Sequence, residues 1–189
     1  MPRCANGVRR GFYDGGVVIR PDDKDWTWVV ERACPDCGFD PEAESYDDLP
    51  ALVRERSASW AAILARPDAV RRPDDATWSP LEYAAHLRDV CAVFRGRLES
   101  MLDAEDPPFE NWDQDAAAVT GKYGELDPGE VAAELAVAGR VAADAFGAVS
   151  PQERGRTGRR GDGARFTVET LARYFAHEHV HHVWDARYR

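Results

Sequence analysis

Apolar residues recur at helical spacing in four long segments of the chain, covering residues 47–65, 79–104, 127–149 and 167–189. In the first segment the apolar positions follow the 3.6-residue period of one helix face: Leu49, Leu52, Val53, Trp60, Ile63 and Leu64. A pattern of this period predicts an amphipathic helix with one buried side. We therefore expect four helices of about 20 residues each.

Three of these segments begin with a helix-start signal. Ser79 is a good N-cap, Pro80 suits the first helical position, and Glu82 completes a capping box. Residues 127–130 repeat this signature, and Thr167 can cap the last helix. The predicted boundaries thus rest on cap chemistry as well as on hydrophobic period.

The four helices predict an all-α fold, a four-helix bundle with long loops, over residues 46–189. The long linkers are residues 105–126 and 150–166, and we predict no strand in either. Residues 1–45 differ in composition and hold only two short apolar patches, "GVVIR" and "WTWVV". We expect them to form a short irregular extension that packs on the bundle.

Charge and composition restrict the partners of the protein. The chain has 189 residues and a formal net charge of −10, which disfavours binding to nucleic acid or to anionic membranes. It has no apolar run near the ~20 residues that span a bilayer, and its N-terminus lacks the apolar core of a secretory signal. We therefore expect a cytoplasmic protein without nucleic-acid or membrane partners.

Four of the five histidines fall within "HEHVHHVWD", residues 177–185. The apolar side of this helix is set by Val168, Leu171, Ala172, Phe175 and Val183. Glu178 and His182 lie four residues apart at the edge of that side, so both can grip one divalent ion. His177 and His181 form a second such pair, which the helical phase turns further toward solvent, and His179 turns the other way. We expect His177 and His179 to matter little for metal binding.

The fifth histidine, His86, lies at the border of the inner face of the second helix, which is formed by Tyr83, Val90, Val93 and Phe94. Two facing helices can therefore bring His86, Glu178 and His182 to one seam. Three protein ligands with open positions are typical of a catalytic metal site. One alternative is a solvated histidine cluster that binds metal only adventitiously. Another is that His177 and His181 are the ligand pair of the last helix, and we keep them as the reserve pair.

The segments "WSPLEYAAHLRDV" and "HEHVHHVWDA" together resemble the DinB-like superfamily over about residues 46–189. This superfamily includes mycothiol-dependent maleylpyruvate isomerases and bacillithiol-transferase-like proteins. The resemblance implies a four-helix bundle with one metal ion, usually zinc or nickel. It also implies that the second helix gives one histidine ligand and the fourth helix gives an i,i+4 pair.

The matching positions agree with the helical phase. His86 matches the ligand of the second helix. The isomerase pattern E-x-x-x-H-x-W-D is matched by Glu178, His182, Trp184 and Asp185. In the DinB pattern H-x-x-H-H-x-x-Q the double histidine is matched by His181 and His182, but Glu178 replaces the first histidine. Both patterns select His182 as a ligand, and His181 or Asp185 then becomes a supporting or catalytic partner.

The function that the resemblance implies is a metal-dependent S-transferase or isomerase. Its partners would be a low-molecular-weight thiol of the mycothiol type and a small electrophile, and a homodimer is compatible with the superfamily. The metal would lower the pKa of the thiol so that a thiolate attacks the electrophile. Two alternatives remain: a non-enzymatic metal-binding stress-response protein, and a metal-water hydrolase with Glu178 or Asp113 as the base.

The cysteines form no evident disulfide framework. Cys34 and Cys37 lie in a knuckle-like "CPDCG", while Cys4 and Cys91 stand alone. A closed zinc site needs four ligands, normally from two knuckles, and the sequence contains no second one. We therefore expect a structural turn within the extension, and a metal or thiol role is the alternative.

Two charged loops are further candidates for substrate contacts. The first linker contains "ENWDQD", residues 110–115, in which Asp113 can act as a general acid or base and Trp112 as a lid. The second linker is rich in arginine (Arg154, Arg156, Arg159, Arg160 and Arg165) and leads into the last helix. Such a loop can bind an anionic substrate or be a flexible solvated segment.

Overall fold

The computed structural model describes residues 26–188, and all four predicted helices are present in it. A fifth, short helix lies in the first long linker. In chain order the helices are α1 (Leu49–Leu64), α2 (Pro80–Asp103), α3 (Gln114–Thr120), α4 (Pro128–Gly147) and α5 (Val168–Tyr188). Short 3-10 helices cover Thr27–Val30 and Tyr123–Glu125.

The predicted helix starts are confirmed by their hydrogen bonds. The Ser79 hydroxyl accepts from the Glu82 N–H at 3.3 Å, and the Glu82 carboxylate accepts from the Ser79 N–H at 2.9 Å. The Asp127 carboxylate accepts a first-turn N–H at 2.9 Å, and the Thr167 hydroxyl accepts the Thr170 N–H at 3.1 Å. These contacts satisfy N–H groups that a helix leaves without intrahelical partners.

The four long helices form a bundle in which α1 and α2 are diagonal to each other. α1 packs against α4 and α5, and α2 packs against the same two helices. α1 and α4 approach closely at Gly139, where an added Cβ would lie 2.0 Å from the Ser57 hydroxyl. The core between the helices contains Trp60, Leu81, Leu87, Leu135 and Phe175, all at most 1% exposed. The predicted fold class is therefore confirmed.

A small sheet, which the hydrophobic pattern does not predict, joins the two long linkers. It contains β1 (Pro108–Phe109), β2 (Thr157–Arg160) and β3 (Arg165–Thr167) in that order. β1 is parallel to β2, and β2 and β3 form an antiparallel hairpin. The arginine-rich linker is therefore an ordered hairpin rather than a flexible loop, and it leads directly into α5.

Residues 26–48 cover the side of α5 that faces away from the bundle core. The 3-10 helix Thr27–Val30 packs against α5, and Val29, Cys34 and Phe39 are buried there. Cys4 and the patch "GVVIR" lie outside the described residues. Among residues 26–188, the helices are too short or too polar for any of them to cross a membrane.

Candidate metal centre

One histidine of α2 and two residues of α5 converge at the seam between these helices. The Nε2 atom of His86 lies 3.7 Å from the Glu178 Oε2 atom, and the His182 Nε2 atom lies 3.3 Å from the same oxygen. One ligand atom from each side chain lies within 4.8 Å of the others. Two imidazoles and one carboxylate, with coordination positions left over, are a donor set that catalytic zinc uses in proteins.

Local structure explains why these three residues meet. Glu178 and His182 are one turn apart on α5, so their side chains project in the same direction. His86 is 1% exposed on the inner face of α2, and α2 packs directly against α5. The sequence pattern and the packing therefore place the three residues that we predicted at one point.

Aromatic rings surround the imidazoles. Trp112 stacks on His86 with ring centroids 5.3 Å apart, and Trp78 contacts the same ring edge-on at 5.4 Å. Tyr83 stacks on His182 at 5.0 Å. These rings hold the imidazoles in place and reduce the access of water, which strengthens electrostatic interactions at the seam.

Asp185 orients His182. Its Oδ2 atom lies 2.9 Å from the His182 Nδ1 atom, so the opposite ring nitrogen faces Glu178. Metal-binding histidines commonly donate their second N–H to a carboxylate in this way. The structure thus gives Asp185 the supporting place that the sequence suggested.

The electrostatics of the seam follow from burial and from the two carboxylates. Burial opposes protonation of His86 and lowers its pKa, and Glu178 only partly offsets this effect. Burial also disfavours charge on Glu178, but the two imidazoles outweigh it, and the Glu178 pKa lies well below its usual value. For His182, Asp185 and Glu178 outweigh burial and raise the pKa to about 9. The two carboxylates thus favour the protonated form of His182, so a divalent cation at this ring would compete with a proton.

A cavity of about 210 Å³ adjoins the seam. His86 and Glu178 form part of its wall, together with Val90, Phe94, Arg97, Asn111, Trp112, Gln114, Arg160, Asp162 and Tyr174. Arg97 is 8% exposed, packs over the rings of Phe94 and Phe109, and donates a hydrogen bond to the Glu110 carbonyl at 3.4 Å. Arg160 reaches the cavity from β2 and pairs with Asp162 at 2.8 Å.

The acidic loop contributes to this cavity differently from our expectation. Trp112 covers His86, as a lid residue would, and Asn111 and Gln114 line the wall. Asp113 is exposed and caps α3, where it accepts the Ala116 N–H at 2.9 Å. Because this carboxylate is bound to its own helix and does not line the cavity, the structure does not favour Asp113 as a catalytic base.

The structure corrects the expected surroundings of the other histidines. His177, His179 and His181 are at most 4% exposed, whereas the pattern placed the His177–His181 pair toward solvent. The reason is that α5 is covered on both sides, by the bundle and by residues 26–48. His179 faces the core, with its Nδ1 atom 3.0 Å from the Phe175 carbonyl. The reserve pair does not join the seam and lies against the extension instead.

Arg97 is a cavity residue that the sequence analysis missed. A signal for Arg97 exists, because it continues the inner positions of α2 from His86 through Val90 and Phe94. Arginine is seldom buried unless its charge has a partner. An arginine at a core position of an amphipathic helix therefore predicts a binding partner or a functional site at that position.

Comparison with known proteins places this geometry in a family. A family model described as the DinB superfamily matches residues 51–186. The chain belongs to the DinB superfamily. The solved structure of YfiT from Bacillus subtilis is similar, with a TM-score of 0.66 and 19% identity over 75% of this chain and 85% of that one. YfiT is described as a probable metal-dependent hydrolase with an unusual four-helix bundle topology. No curated protein sequence matches the chain.

Proposed function

We propose that this DinB-superfamily protein is a metal-dependent S-transferase or isomerase. It would use a low-molecular-weight thiol of the mycothiol type and act on a small anionic electrophile. The observation that carries the proposal is that His86, Glu178 and His182 adjoin a cavity whose wall also holds Arg97 and Arg160. A site for activating a nucleophile and a site for binding an anion thus share one cavity.

The donor set supports zinc as the resident ion, with nickel as the alternative, since imidazole suits both metals. His86, Glu178 and His182 would hold the ion. When bound, the ion supplies a Lewis acid that lowers the pKa of a thiol or water in its open position. Asp185 would keep His182 oriented toward the ion, as it orients that ring in the structure.

The two arginines support an anionic substrate. None of the described carboxylates forms an ion pair with Arg97, and Arg97 and Arg160 repel each other across the cavity. Burial is the main cause that lowers the pKa of Arg97, and the repulsion from Arg160 lowers it further. A bound carboxylate would relieve the repulsion and accept bidentate hydrogen bonds from a planar guanidinium.

The size and walls of the cavity support a small substrate. Its volume of about 210 Å³ is below the ~300–1,000 Å³ of pockets for drug-sized ligands. Trp112 and Phe94 contribute apolar wall, so a substrate there is partly shielded from water. Because water is partly excluded, attack by a thiolate is favoured over hydrolysis of the electrophile by water.

Hydrolysis is the second candidate, and the description of YfiT favours it. In this chain Glu178 lies between the two imidazoles as a ligand would, and Asp113 caps α3. With Glu178 as a ligand and Asp113 outside the cavity wall, such a hydrolase would lack both of the bases that the sequence suggested. A hydrolase built on this site would depend on metal-activated water alone.

Thiol consumption tests the proposed function. The zinc-loaded protein is mixed with mycothiol and a panel of α,β-unsaturated carboxylates, with the corresponding neutral amides as matched substrates. We expect metal-dependent loss of thiol for carboxylates, and a decrease of more than about 100-fold in His86→Ala, since changes outside the ligand set already cost 10–100-fold. Arg97→Met should raise KM for the carboxylates by about 10–100-fold, because it removes one or two charged hydrogen bonds to the substrate. The KM for the amides should not change.

The same assay separates the alternatives. Turnover of ester substrates without thiol would support the hydrolase. If neither the loss of thiol nor the thiol-dependent cis–trans isomerisation of the carboxylates exceeds the uncatalysed rate, or if the rate is unchanged by His86→Ala, the proposal is wrong.

A further inference from the structure

We infer that the chain binds a second metal ion, in a closed site formed by Cys34, Cys37, His177 and His181. One donor atom from each of these side chains lies within 4.8 Å of the others. The Cys34 Sγ atom is 3.6 Å from the Nδ1 atom of His181. This cluster joins the extension to α5, and it shares no ligand with the seam formed by His86, Glu178 and His182.

The chemistry of the four donors is that of a structural zinc site. Two thiolates and two imidazoles bind zinc tetrahedrally and leave no open position. The spacings also fit, because two residues separate the cysteines and three separate the histidines. The second pair of ligands is therefore the reserve pair of α5, which the sequence analysis did not connect with the cysteines, rather than another knuckle.

The local backbone brings each pair together. The Cys34 N–H donates to the Phe39 carbonyl at 2.8 Å, and the Gly38 N–H donates to the Cys34 carbonyl at 2.9 Å. Gly38 has a φ of +76°, a conformation that favours glycine and closes the turn behind the two thiols. On the other side, His177 and His181 are one helical turn apart and project together from α5.

The burial of His177 points to a bound ion. This side chain is 2% exposed, and both of its ring nitrogens are buried without a hydrogen-bond partner among the described residues. Phe39 and Trp26 pack against its ring with centroids 5.9 Å away. Leaving a buried polar group without a partner is unfavourable, because the group loses its hydrogen bonds to water. Coordination of an ion by one ring nitrogen gives His177 a partner. A turn that only packs against His177 gives it none.

Asp185 lies between the two metal sites. Its Oδ2 atom is 2.9 Å from the His182 Nδ1 atom and 3.7 Å from the His181 Nε2 atom. With Nδ1 of His181 on the second ion, the other nitrogen of that ring faces this carboxylate. One carboxylate then supports a ligand of each site, so the ion at Cys34 and Cys37 also braces the α5 turn that carries His182.

Cobalt substitution of the full chain tests this site without any variant. The protein is freed of metal under reducing conditions, titrated with Co²⁺ and then displaced with Zn²⁺. We expect two ions per chain and a sulfur-to-cobalt charge-transfer band that saturates at one equivalent. Only a thiolate ligand produces this band, so the result does not depend on enzymatic activity or on the proposed function.

Variants assign the band to its ligands. Cys34→Ser or Cys37→Ser alone should weaken the band, and the two changes together should remove the band and one ion per chain. Cys91→Ser, a change at a buried cysteine outside the cluster, and His86→Ala/His182→Ala should both keep it. The inference is overturned if the unmodified protein shows no band, if the band survives in Cys34→Ser/Cys37→Ser, or if mass spectrometry finds a Cys34–Cys37 disulfide in protein purified under reducing conditions. Loss of thiol transfer with the band intact would instead refute only the proposed function.

Discussion

At the scale of single residues, Asp185 has the clearest supporting role. It orients His182 at 2.9 Å and lies 3.7 Å from His181. Asp185→Asn preserves the shape of the side chain and removes its charge, so we expect the affinity for zinc at the seam to fall about 10–100-fold. Competition with a chelator measures this change. Asp144→Asn, at an exposed carboxylate on α4, is the matched control and should leave the affinity unchanged. Equal affinities in the two variants would contradict the role of Asp185.

The residues of the seam were predictable because their signal is local. The i,i+4 spacing of Glu178 and His182 and the position of His86 on an inner helix face are properties of single helices. The position of the His177–His181 pair was not predictable in this way. A hydrophobic period identifies one buried side of a helix, but α5 is buried on two sides. The residues that bury its second side lie about 140 positions earlier in the chain.

At the scale of the elements, the contact between α1 and α4 at Gly139 is the tightest among the described glycine positions. Gly139→Ala places a methyl group against Ser57, whose hydroxyl is held by the Val53 carbonyl at 2.8 Å. We expect overpacking of about 1–3 kcal/mol to exceed the gain of up to ~1 kcal/mol from helix propensity. Gly96→Ala on α2 meets no atom within 4 Å and should stabilise by about 0.5–1 kcal/mol. Urea unfolding compares them, and stabilisation by both variants would contradict this packing.

The elements themselves were predictable to different degrees. All four long helices carry a hydrophobic period and three of them also carry a cap signal, so their bounds agree with the expected ones to within two residues. The sheet has strands of two to four residues, too short for an alternating pattern to appear. Its register depends on contacts between distant linkers, such as Asp106 with Arg159 and Arg165, which no local pattern encodes.

At the scale of the whole molecule, α5 connects the parts. It faces α1 and α2 in the bundle, begins directly after the hairpin, and carries residues 26–48 on its outer side. It therefore carries residues of both candidate metal sites, the seam and the cluster with Cys34 and Cys37. The absence of nucleic-acid binding stays a prediction from the net charge of −10.

The central claim is that His86, Glu178 and His182 hold a divalent ion. Metal content per chain, measured after dialysis, tests it in the unmodified protein and in Glu178→Ala/His182→Ala. We predict that the double variant contains one zinc ion fewer than the unmodified protein. The difference does not depend on whether the second site is filled, and circular dichroism checks that the variant is folded. Equal metal content in the two folded proteins would contradict the account.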